Sequence, residues 1–218
     1  MLAIKTGMQT EYSIAIKIAS PSATVLTGVM TVADLDIHVP RACTGIISYG
    51  LCGGLAPGLS IGQNIIGDLL KTPDGDYVPD PAWRKRLFAR TKAYEHVWWS
   101  SDTFNTADDP ASRAALYAQT GAWVIDDESM AVAQFAALRK IPFALMRTVS
   151  DGANDTIPAA ARVALQADGS TDIWPVLESV LGNLGQLPDL EKMADYLSIS
   201  LGTLYTAGLQ VGPTFQLS

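Results

Sequence analysis

Short apolar runs rich in β-branched residues alternate with longer segments of helical period along this chain, and that alternation restricts its fold more than any other feature. A short apolar run bounded by turn residues predicts a buried strand, whereas apolar residues spaced by three and four predict an amphipathic helix. Strands are predicted over residues 2–6, 23–27, 44–49, 64–70, 97–100, 122–125 and 141–149. Helices are predicted over residues 10–19, 81–90, 110–119 and 128–138, and most of the chain beyond residue 168 is predicted to be helical. This order is typical of an α/β domain with a central sheet.

The length and composition of the chain are those of one large domain. Its 218 residues are 48% hydrophobic, which is enough to fill one core, and no repeat, linker or low-complexity segment divides them. We therefore predict a single domain over residues 1–218. No apolar stretch reaches the roughly 18 residues of a membrane helix. The first residues predict a strand rather than a cleavable signal sequence, so we expect a cytoplasmic protein.

The charge balance and the scarcity of metal-binding side chains exclude several classes of protein. A formal net charge of -7 with no basic run argues against nucleic-acid binding, which needs clustered Lys and Arg. Cys43 and Cys52 form neither a disulfide framework nor a zinc motif, and only His38 and His96 could add imidazole ligands. We therefore expect no metal and no cofactor, and a small molecule as the ligand.

A glycine-rich segment at residues 50–58 invites comparison with nucleotide-binding loops. It lacks the Gly-x-Gly-x-x-Gly spacing of dinucleotide-binding domains, and Pro57 stands where their long helix would open. The chain also has no Gly-Lys-Ser or Gly-Lys-Thr of the Walker type. Residues 53–58 are predicted to form a turn between two strands. The alternative is that Gly53 and Gly54 allow the backbone to approach a ligand closely.

Polar side chains follow the predicted apolar runs at four places, and ligands of open α/β sheets gather beyond strand ends. These places are Glu11, residues 102–105, residues 126–128 and Ser150–Asp151. Each also has a structural explanation. Glu11 could be a carboxylate in the first turn of a helix, and Asp126 and Asp127 could cap the next helix. Phe104 could lie in the core, so no single segment decides the function.

Taken together, these segments resemble the superfamily of purine nucleoside phosphorylases and methylthioadenosine/S-adenosylhomocysteine nucleosidases, over nearly the whole chain and in the family's order. The resemblance is carried by residues 7–11 (GMQTE), 50–57 (GLCGGLAP), 101–104 (SDTF), 126–129 (DDES) and 147–151 (RTVSD). Residues 80–84, 168–172 and 185–188 resemble the hopanoid-associated branch, whose members release adenine from adenosylhopane. The resemblance implies a single-domain, three-layer α/β/α fold with a central mixed sheet, and an enzyme that cleaves an N-glycosidic bond.

The resemblance implies that Asp151 is the general acid. A purine anion leaves ribose poorly, so the base must be protonated as the glycosidic bond stretches. The matching family aspartate hydrogen-bonds N7 of the purine, and burial at a strand end could keep its proton near neutral pH. Ser150 would orient Asp151. An aspartate rather than an asparagine at this position is the family's mark of 6-amino purines, which implies adenine as the base.

The resemblance also implies how the sugar and the base are bound. Glu128 matches the glutamate that binds the ribose hydroxyls and stabilises the developing oxocarbenium charge. Phe104 matches the aromatic residue that stacks on the purine, and Asn105 follows where backbone contacts to the base are expected. Asp127 departs from the family, because it stands where a methionine usually packs under the ribose. A second acid beside Glu128 is expected to alter sugar binding or to raise a neighbouring pKa.

The resemblance leaves two nucleophiles open, water and phosphate. Glu11 matches the glutamate that activates water in the nucleosidases, and Leu51 stands where many relatives carry a small hydroxyl residue near the nucleophile or phosphate. Both features favour water. The hopanoid branch, however, is commonly called a phosphorylase. Arg41 or Arg147 could therefore reach a phosphate, which would then be a co-substrate.

The leading hypothesis is hydrolysis of a 5′-substituted adenosine with release of adenine. The alternatives are phosphorolysis of the same bond and a nucleoside-binding protein without catalysis. A bulky or apolar 5′ substituent is expected from the hopanoid-like segments and from Trp83, Trp98 and Trp99, although these tryptophans could instead fill the core or an interface. The usual assembly of the superfamily and the 48% hydrophobic content favour a homodimer.

Overall fold

Two long, neighbouring strands form the centre of the sheet in the computed structural model, which describes residues 1–101, 107–164 and 166–217. They are β3 (Gly45–Gly54) and β8 (Phe143–Asp151), and they pair in parallel. Nearly every side chain of both strands is buried. Both are largely apolar runs, as expected of strands that are covered on both faces.

The other strands extend this pair into a mixed sheet. They are β1 (Leu2–Lys5), β2 (Thr24–Leu26), β4 (Asn64–Thr72), β5 (Gly75–Tyr77), β6 (Tyr94–Ser100) and β7 (Val124–Asp126). β1 lies parallel to both β3 and β2, and β5 extends the sheet beyond β4. β8 pairs with β4 as well as β3, β4 pairs with β6, and β7 joins β6 to β3. These five strands therefore close into a ring of pairings.

The ring brings three strand ends to one place. Gly53 pairs with Ile125 of β7 and with Asp151 of β8, after a register shift between Cys52 and Gly53. The chain segments that leave β7 and β8 therefore begin next to the end of β3. This is the edge of the sheet at which the sequence predicts polar site residues.

Helices cover both faces of the sheet, which confirms the predicted three-layer fold. They are α1 (Gln9–Ile18), α2 (Val32–His38), α3 (Pro81–Arg90), α4 (Pro110–Thr120), α5 (Ser129–Arg139), α6 (Ala159–Ala164), α7 (Ile173–Gly182) and α8 (Leu187–Val211). Side chains of α1, α3 and α8 pack around Ile47, Tyr49 and Ile66 on one face. Side chains of α2 and α5 pack around Ile46 and Leu145 on the other face. Within the described ranges, no helix has both the length and the apolar content to cross a bilayer.

The structure corrects the predicted elements at three points. Gly53 and Gly54 belong to β3 rather than to a turn, because the strand continues to pair with β7 and β8. β5 lies between the predicted strand 64–70 and the predicted helix 81–90, where no strand is predicted. The apolar pattern does not predict α2, whose start is marked instead by a capping box. In it, the Asp34 amide donates to Thr31 Oγ1 at 3.2 Å, and the Thr31 amide donates to Asp34 Oδ2 at 2.9 Å.

The long helix α8 is fixed to the central strands by two hydrogen bonds within the core. Tyr49 Oη donates to the carbonyl of Leu204 at 2.6 Å, and Ser200 Oγ donates to the carbonyl of Val149 at 2.7 Å. Burial raises the pKa of the Tyr49 hydroxyl, which therefore remains a donor. Gly208 allows the close approach of the helix, because a Cβ at this position would lie 2.5 Å from Tyr49 Oη.

We predict that Gly208→Ala destabilises the protein, although alanine is the better helix former. The added methyl group would overlap Tyr49 and Ile18, so the free energy of unfolding should fall by roughly 1–3 kcal/mol. Gly202→Ala is the matched control in the same helix, because no atom lies within 4 Å of its added Cβ. The control should stabilise the protein by up to about 1 kcal/mol. Urea denaturation measures both changes, and stabilisation by Gly208→Ala would contradict the packing described.

Candidate active site

A cavity of about 420 Å³ opens at the edge where β3, β7 and β8 end. Its lining includes six residues predicted from the sequence: Glu11, Gly53, Asp127, Glu128, Ser150 and Asp151. Gly54 does not line the cavity, and its carbonyl accepts a hydrogen bond from Arg113 at 3.1 Å. Phe104 and Asn105, which were expected to contact the base, lie outside the described residues. The fold thus brings together side chains from distant segments of the chain.

Glu11 lies in the first turn of α1 and is buried, with both oxygens bound by backbone amides. Oε2 accepts hydrogen bonds from the N–H groups of Gly7 and Met8 at 2.7 and 2.9 Å, and Oε1 accepts one from Leu51 at 2.7 Å. The structural explanation for Glu11 therefore holds, yet the same side chain faces the cavity. Burial raises the pKa of Glu11, and the positive charge of Arg147 offsets only part of this shift. A carboxylate with a raised pKa at a cavity is suited to act as a general base.

Two glycines make room for the buried carboxylates. A Cβ at Gly50 would lie 2.6 Å from Glu11 Oε1. A Cβ at Gly7 would overlap Glu128 Oε1 and would lie 3.4 Å from Glu11 Oε2. Glu11 and Glu128 therefore converge beside the backbone of Gly7. A side chain at either glycine would displace a carboxylate.

Arg147, which is fully buried in β8, is the cation that pairs with two acidic residues of the cavity. Its Nη2 forms an ion pair with Glu128 at 2.7 Å, and its Nε forms one with Asp126 at 3.1 Å. The same guanidinium donates to the carbonyl of Leu51 at 2.7 Å and to Ser48 Oγ at 2.8 Å. Burial disfavours the cation, but the surrounding carboxylates outweigh burial and raise the pKa of Arg147. Arg147 therefore stays charged and joins β3, β8 and the turn after β7.

Asp126, the last residue of β7, caps the start of α5. Its Oδ1 accepts hydrogen bonds from the N–H groups of Glu128 and Ser129 at 3.0 and 2.8 Å. Its Oδ2 accepts hydrogen bonds from Trp98 Nε1 at 2.8 Å and from the Ser129 hydroxyl. The capping explanation is therefore correct for Asp126. By fixing the turn, Asp126 places the side chain of Glu128 at the cavity.

Asp127 also lines the cavity, but it forms no hydrogen bond or ion pair with any residue that the structure describes. It therefore does not cap α5. Burial raises the pKa of Asp127 to about 8, and the carboxylates of Glu128 and Asp126 add to the shift against the charge of Arg147. At neutral pH this group is mainly the uncharged acid, which both donates and accepts hydrogen bonds.

Asp151, the last residue of β8, is contacted at both carboxylate oxygens. Ser150 Oγ donates to Oδ2 at 2.7 Å, which is the orienting contact expected from the sequence. Oδ1 forms an ion pair with Arg113 of α4, a fully buried residue that sequence reasoning missed. Arg113 Nη1 also donates to the carbonyls of Gly54 and Gly152 at 3.1 and 2.7 Å. Asp151 is therefore held between a hydroxyl group of β8 and a guanidinium group of α4.

The cavity has an acidic part and an apolar part. The charged side chains in its lining are Glu11, Asp126, Asp127, Glu128, Asp151, Arg113 and Arg147. Both guanidinium groups are engaged by carboxylates, so neither offers a free cation to a ligand. Leu190, Met193 and Leu197 of α8 form much of the apolar wall. Among the described residues, no group of three or more His, Cys, Asp or Glu side chains is arranged to hold a metal ion.

The tryptophans that were expected to surround a bulky substituent lie elsewhere. Trp83 and Trp98 are fully buried in the two core clusters on opposite faces of the sheet, and Trp99 packs near Leu55. None of these three tryptophans lines the cavity. The alternative that they fill the core is therefore correct for Trp83 and Trp98. The apolar wall of the cavity comes instead from aliphatic side chains and methionine.

The sequence matches one protein family over much of its length. Residues 14–172 match the family model of the phosphorylase superfamily, which is well over half of the chain. The chain belongs to the phosphorylase superfamily. A comparison with the curated proteins gives no match.

Solved nucleosidase structures share the fold of this phosphorylase-superfamily chain. The 5′-methylthioadenosine/S-adenosylhomocysteine nucleosidase of Colwellia psychrerythraea 34H, in complex with adenine, matches with a TM-score of 0.67 and 12% identity over 97% of this chain and 96% of that chain. A putative nucleosidase of the same kind from Borrelia burgdorferi B31, bound to adenine, matches with a TM-score of 0.65 and 16% identity over 97% and 99%. The futalosine hydrolase of Helicobacter pylori strain 26695 matches with a TM-score of 0.61 and 13% identity over 89% and 97%. At these identities the likeness establishes the fold.

We predict that Asp127 makes the stability of the protein depend on pH. A carboxyl group whose pKa is raised on folding stabilises the fold below its unfolded pKa, near about 4. That contribution is lost as the pH rises towards the folded pKa of about 8. Relative to Asp127→Asn, which does not titrate, the wild-type free energy of unfolding should therefore fall between about pH 5 and about pH 8. Urea denaturation at several pH values measures the difference, and a constant difference would contradict a half-buried, unpaired Asp127.

Proposed function

We propose that this protein hydrolyses the N-glycosidic bond of a 5′-substituted adenosine and releases adenine. The observation that carries the proposal is the convergence of Glu11, Glu128 and Asp151 in one cavity. The three carboxyl groups come from α1, the turn before α5 and the end of β8. Glycosidic bond cleavage needs an acid for the leaving base, a negative charge near the sugar and a base for the attacking water, and each group suits one of these tasks.

Asp151 is the proposed acid for the leaving purine. It lies at the end of β8, and Ser150 fixes one of its oxygens, Oδ2. Arg113 engages the other oxygen, Oδ1. The proton that reaches the purine is therefore proposed to sit on Oδ2, because a proton on Oδ1 would face the guanidinium.

Glu128 is the proposed partner of the sugar. Its Oε2 is held by Arg147, while its Oε1 lies beside Gly7 at the edge of the cavity. A carboxylate fixed in this way stabilises positive charge that develops on the ribose, and it does not have to reorganise during the reaction. Glu11 lies near the same side of Gly7 and is the proposed base for water. Its raised pKa makes the carboxylate a stronger base for the proton of the attacking water.

Water is favoured over phosphate by the charges of the cavity. A phosphate needs free donors or cations, but Arg113 and Arg147 are both committed to carboxylates. Lys5 lies behind the site, where its amine donates to the carbonyls of Thr6 and Gly28, both at 2.6 Å. Arg41 is exposed and pairs with Asp36, and it does not line the cavity. The acidic lining would repel a phosphate dianion.

An apolar 5′ substituent is favoured by the wall that α8 and α6 provide. Leu190, Met193 and Leu197 of α8 line the same cavity as the carboxylates, together with Ala161 and Ala164 of α6. Apolar groups that leave water on binding contribute affinity in proportion to the buried area. Two of the similar structures, both nucleosidases of 5′-methylthioadenosine and S-adenosylhomocysteine, contain adenine. A methylthio group and the larger hopane of adenosylhopane are the substituents to compare.

We predict that the purified protein releases adenine from a 5′-substituted adenosine at the same rate with and without phosphate. Release of free adenine, measured by chromatography, should be compared for 5′-methylthioadenosine, S-adenosylhomocysteine and adenosylhopane. Asp151→Asn should lower kcat by at least about 100-fold, because the leaving base loses its acid. Asp76→Asn, at an exposed position of β5, is the matched control and should retain activity.

Three outcomes would contradict this proposal. Phosphate-dependent turnover with formation of a ribose 1-phosphate would make the protein a phosphorylase. Nucleoside binding in a calorimeter without adenine release over long incubation would make it a binding protein. An Asp151→Asn variant with full activity would remove Asp151 from the mechanism.

We predict that Arg113 positions Asp151 and that its loss affects turnover more than binding. Arg113→Met should lower kcat by about tenfold to hundredfold with a smaller change in KM, because a displaced acid weakens mainly the transition state. Arg113→Lys keeps a cation in α4 and should recover part of kcat. Steady-state kinetics of both variants measures this difference. If Arg113→Met lowers the melting temperature but leaves kcat unchanged at a permissive temperature, the role of Arg113 is only structural.

A further inference from the structure

Asp127 is the one acid of the three consecutive residues 126–128 that has no partner among the described residues. The contacts of Arg147 explain why Asp127 has no partner. Its Nε and Nη2 form ion pairs with Asp126 and Glu128, and its Nη1 donates to the carbonyl of Leu51. Each nitrogen of this guanidinium is thus directed at another group, and Asp127 forms no ion pair with it; its carboxyl group instead lines the cavity.

A polar group in a mainly buried cavity wall costs free energy unless a hydrogen-bond partner satisfies it. Asp127 lacks such a partner among the described residues and is partly exposed in the cavity, so a ligand that displaces water there has to supply the partner. Glu128, the neighbouring residue, is the proposed partner of the sugar. A ligand that reaches Glu128 therefore brings its hydroxyl groups next to Asp127.

We propose that Asp127 is a specificity-determining residue whose carboxyl group hydrogen-bonds the ribose 2′-hydroxyl of the bound nucleoside, beside Glu128. This inference rests on the proposed function for the identity of the ligand, an adenine ribonucleoside. The contact selects ribose over 2′-deoxyribose, because a deoxy sugar would leave the carboxyl group unpaired.

The protonation of Asp127 gives the contact a dependence on pH. The charged groups that act on Asp127 are Glu128 and Asp126 on the same turn and Arg147 on β8. Burial and the two carboxylates favour the uncharged acid, with a pKa of about 8. A nucleoside in the cavity excludes further water and makes the ionised form still less favourable. The affinity for the nucleoside should therefore fall as the pH rises from about 7 to about 9.

The test is calorimetric binding of 9-deazaadenosine, whose carbon–carbon glycosidic bond cannot be hydrolysed. Asp127→Met removes the hydrogen bond and should weaken binding at pH 7 by roughly threefold to tenfold. The same substitution should change the affinity for 2′-deoxy-9-deazaadenosine much less. Asp127→Asn is the matched control, because it keeps a neutral polar group of similar size. The affinity of this variant for 9-deazaadenosine should not vary between about pH 7 and about pH 9.

Each other outcome has a separate meaning. If Asp127→Met binds both ligands as tightly as the wild type, or loses the same factor for both, the ribose contact is wrong. If the wild type and Asp127→Asn show the same dependence on pH, another group controls the affinity and the titration of Asp127 is wrong. If binding follows the expected pattern but no nucleoside is cleaved, the contact stands and the proposed hydrolysis fails. If 9-deazaadenosine does not bind, the contact is overturned.

Discussion

The buried guanidinium of Arg147 is the interaction on which the site depends. It lies in β8, and its donors reach the carbonyl of Leu51 in β3, Asp126 at the end of β7, and Glu128 beyond it. A buried cation is tolerated only when carboxylates and carbonyl oxygens satisfy it, and the carboxylates in turn need the cation. Asp126 and Glu128 can therefore lie close together because Arg147 lies between them and pairs with both.

The same network limits the chemistry of the cavity. Since Arg147 is occupied by carboxylates and Arg113 by Asp151, the positive charges balance the protein's own acids rather than a ligand. Within the described lining, the cavity offers a set of carboxyl groups and an apolar wall from α8. This combination favours a ligand with hydroxyl groups on one side and an apolar group on the other, and it is unfavourable for an anion.

Much of the fold could be predicted from the sequence because the apolar pattern of a strand or helix depends on residues that are close together in the chain. The strands and helices that bury a whole face, such as β3, β8 and α5, follow from runs that any α/β sheet would require. The shorter elements α2 and β5 were missed, since a seven-residue helix and a three-residue edge strand bury little apolar surface. The turn expected at Gly53 and Gly54 was wrong because glycine marks both turns and places where strands crowd together.

The site residues, too, include some that could be predicted from the sequence and some that could not. Residue types and their order along the chain were sufficient to select Glu11, Glu128, Ser150 and Asp151, all of which line the cavity. Arg113 could not be selected, because one arginine in a helix is usually exposed and only the packing of α4 over Gly54 and Gly152 buries it. A pKa raised by neighbouring carboxylates was expected at this turn, whereas the burial that contributes most to the raised pKa of Asp127 depends on the fold.

By itself, the sequence determined the longer strands and helices and the acids that follow the strands, because these features depend on neighbouring residues. Only the tertiary structure decided which acid receives a cation. Electrostatic partners are set by distances of a few ångströms between segments that are far apart in the chain. That is why Arg147 serves Asp126 and Glu128, Arg113 serves Asp151, and Asp127 is left facing the cavity.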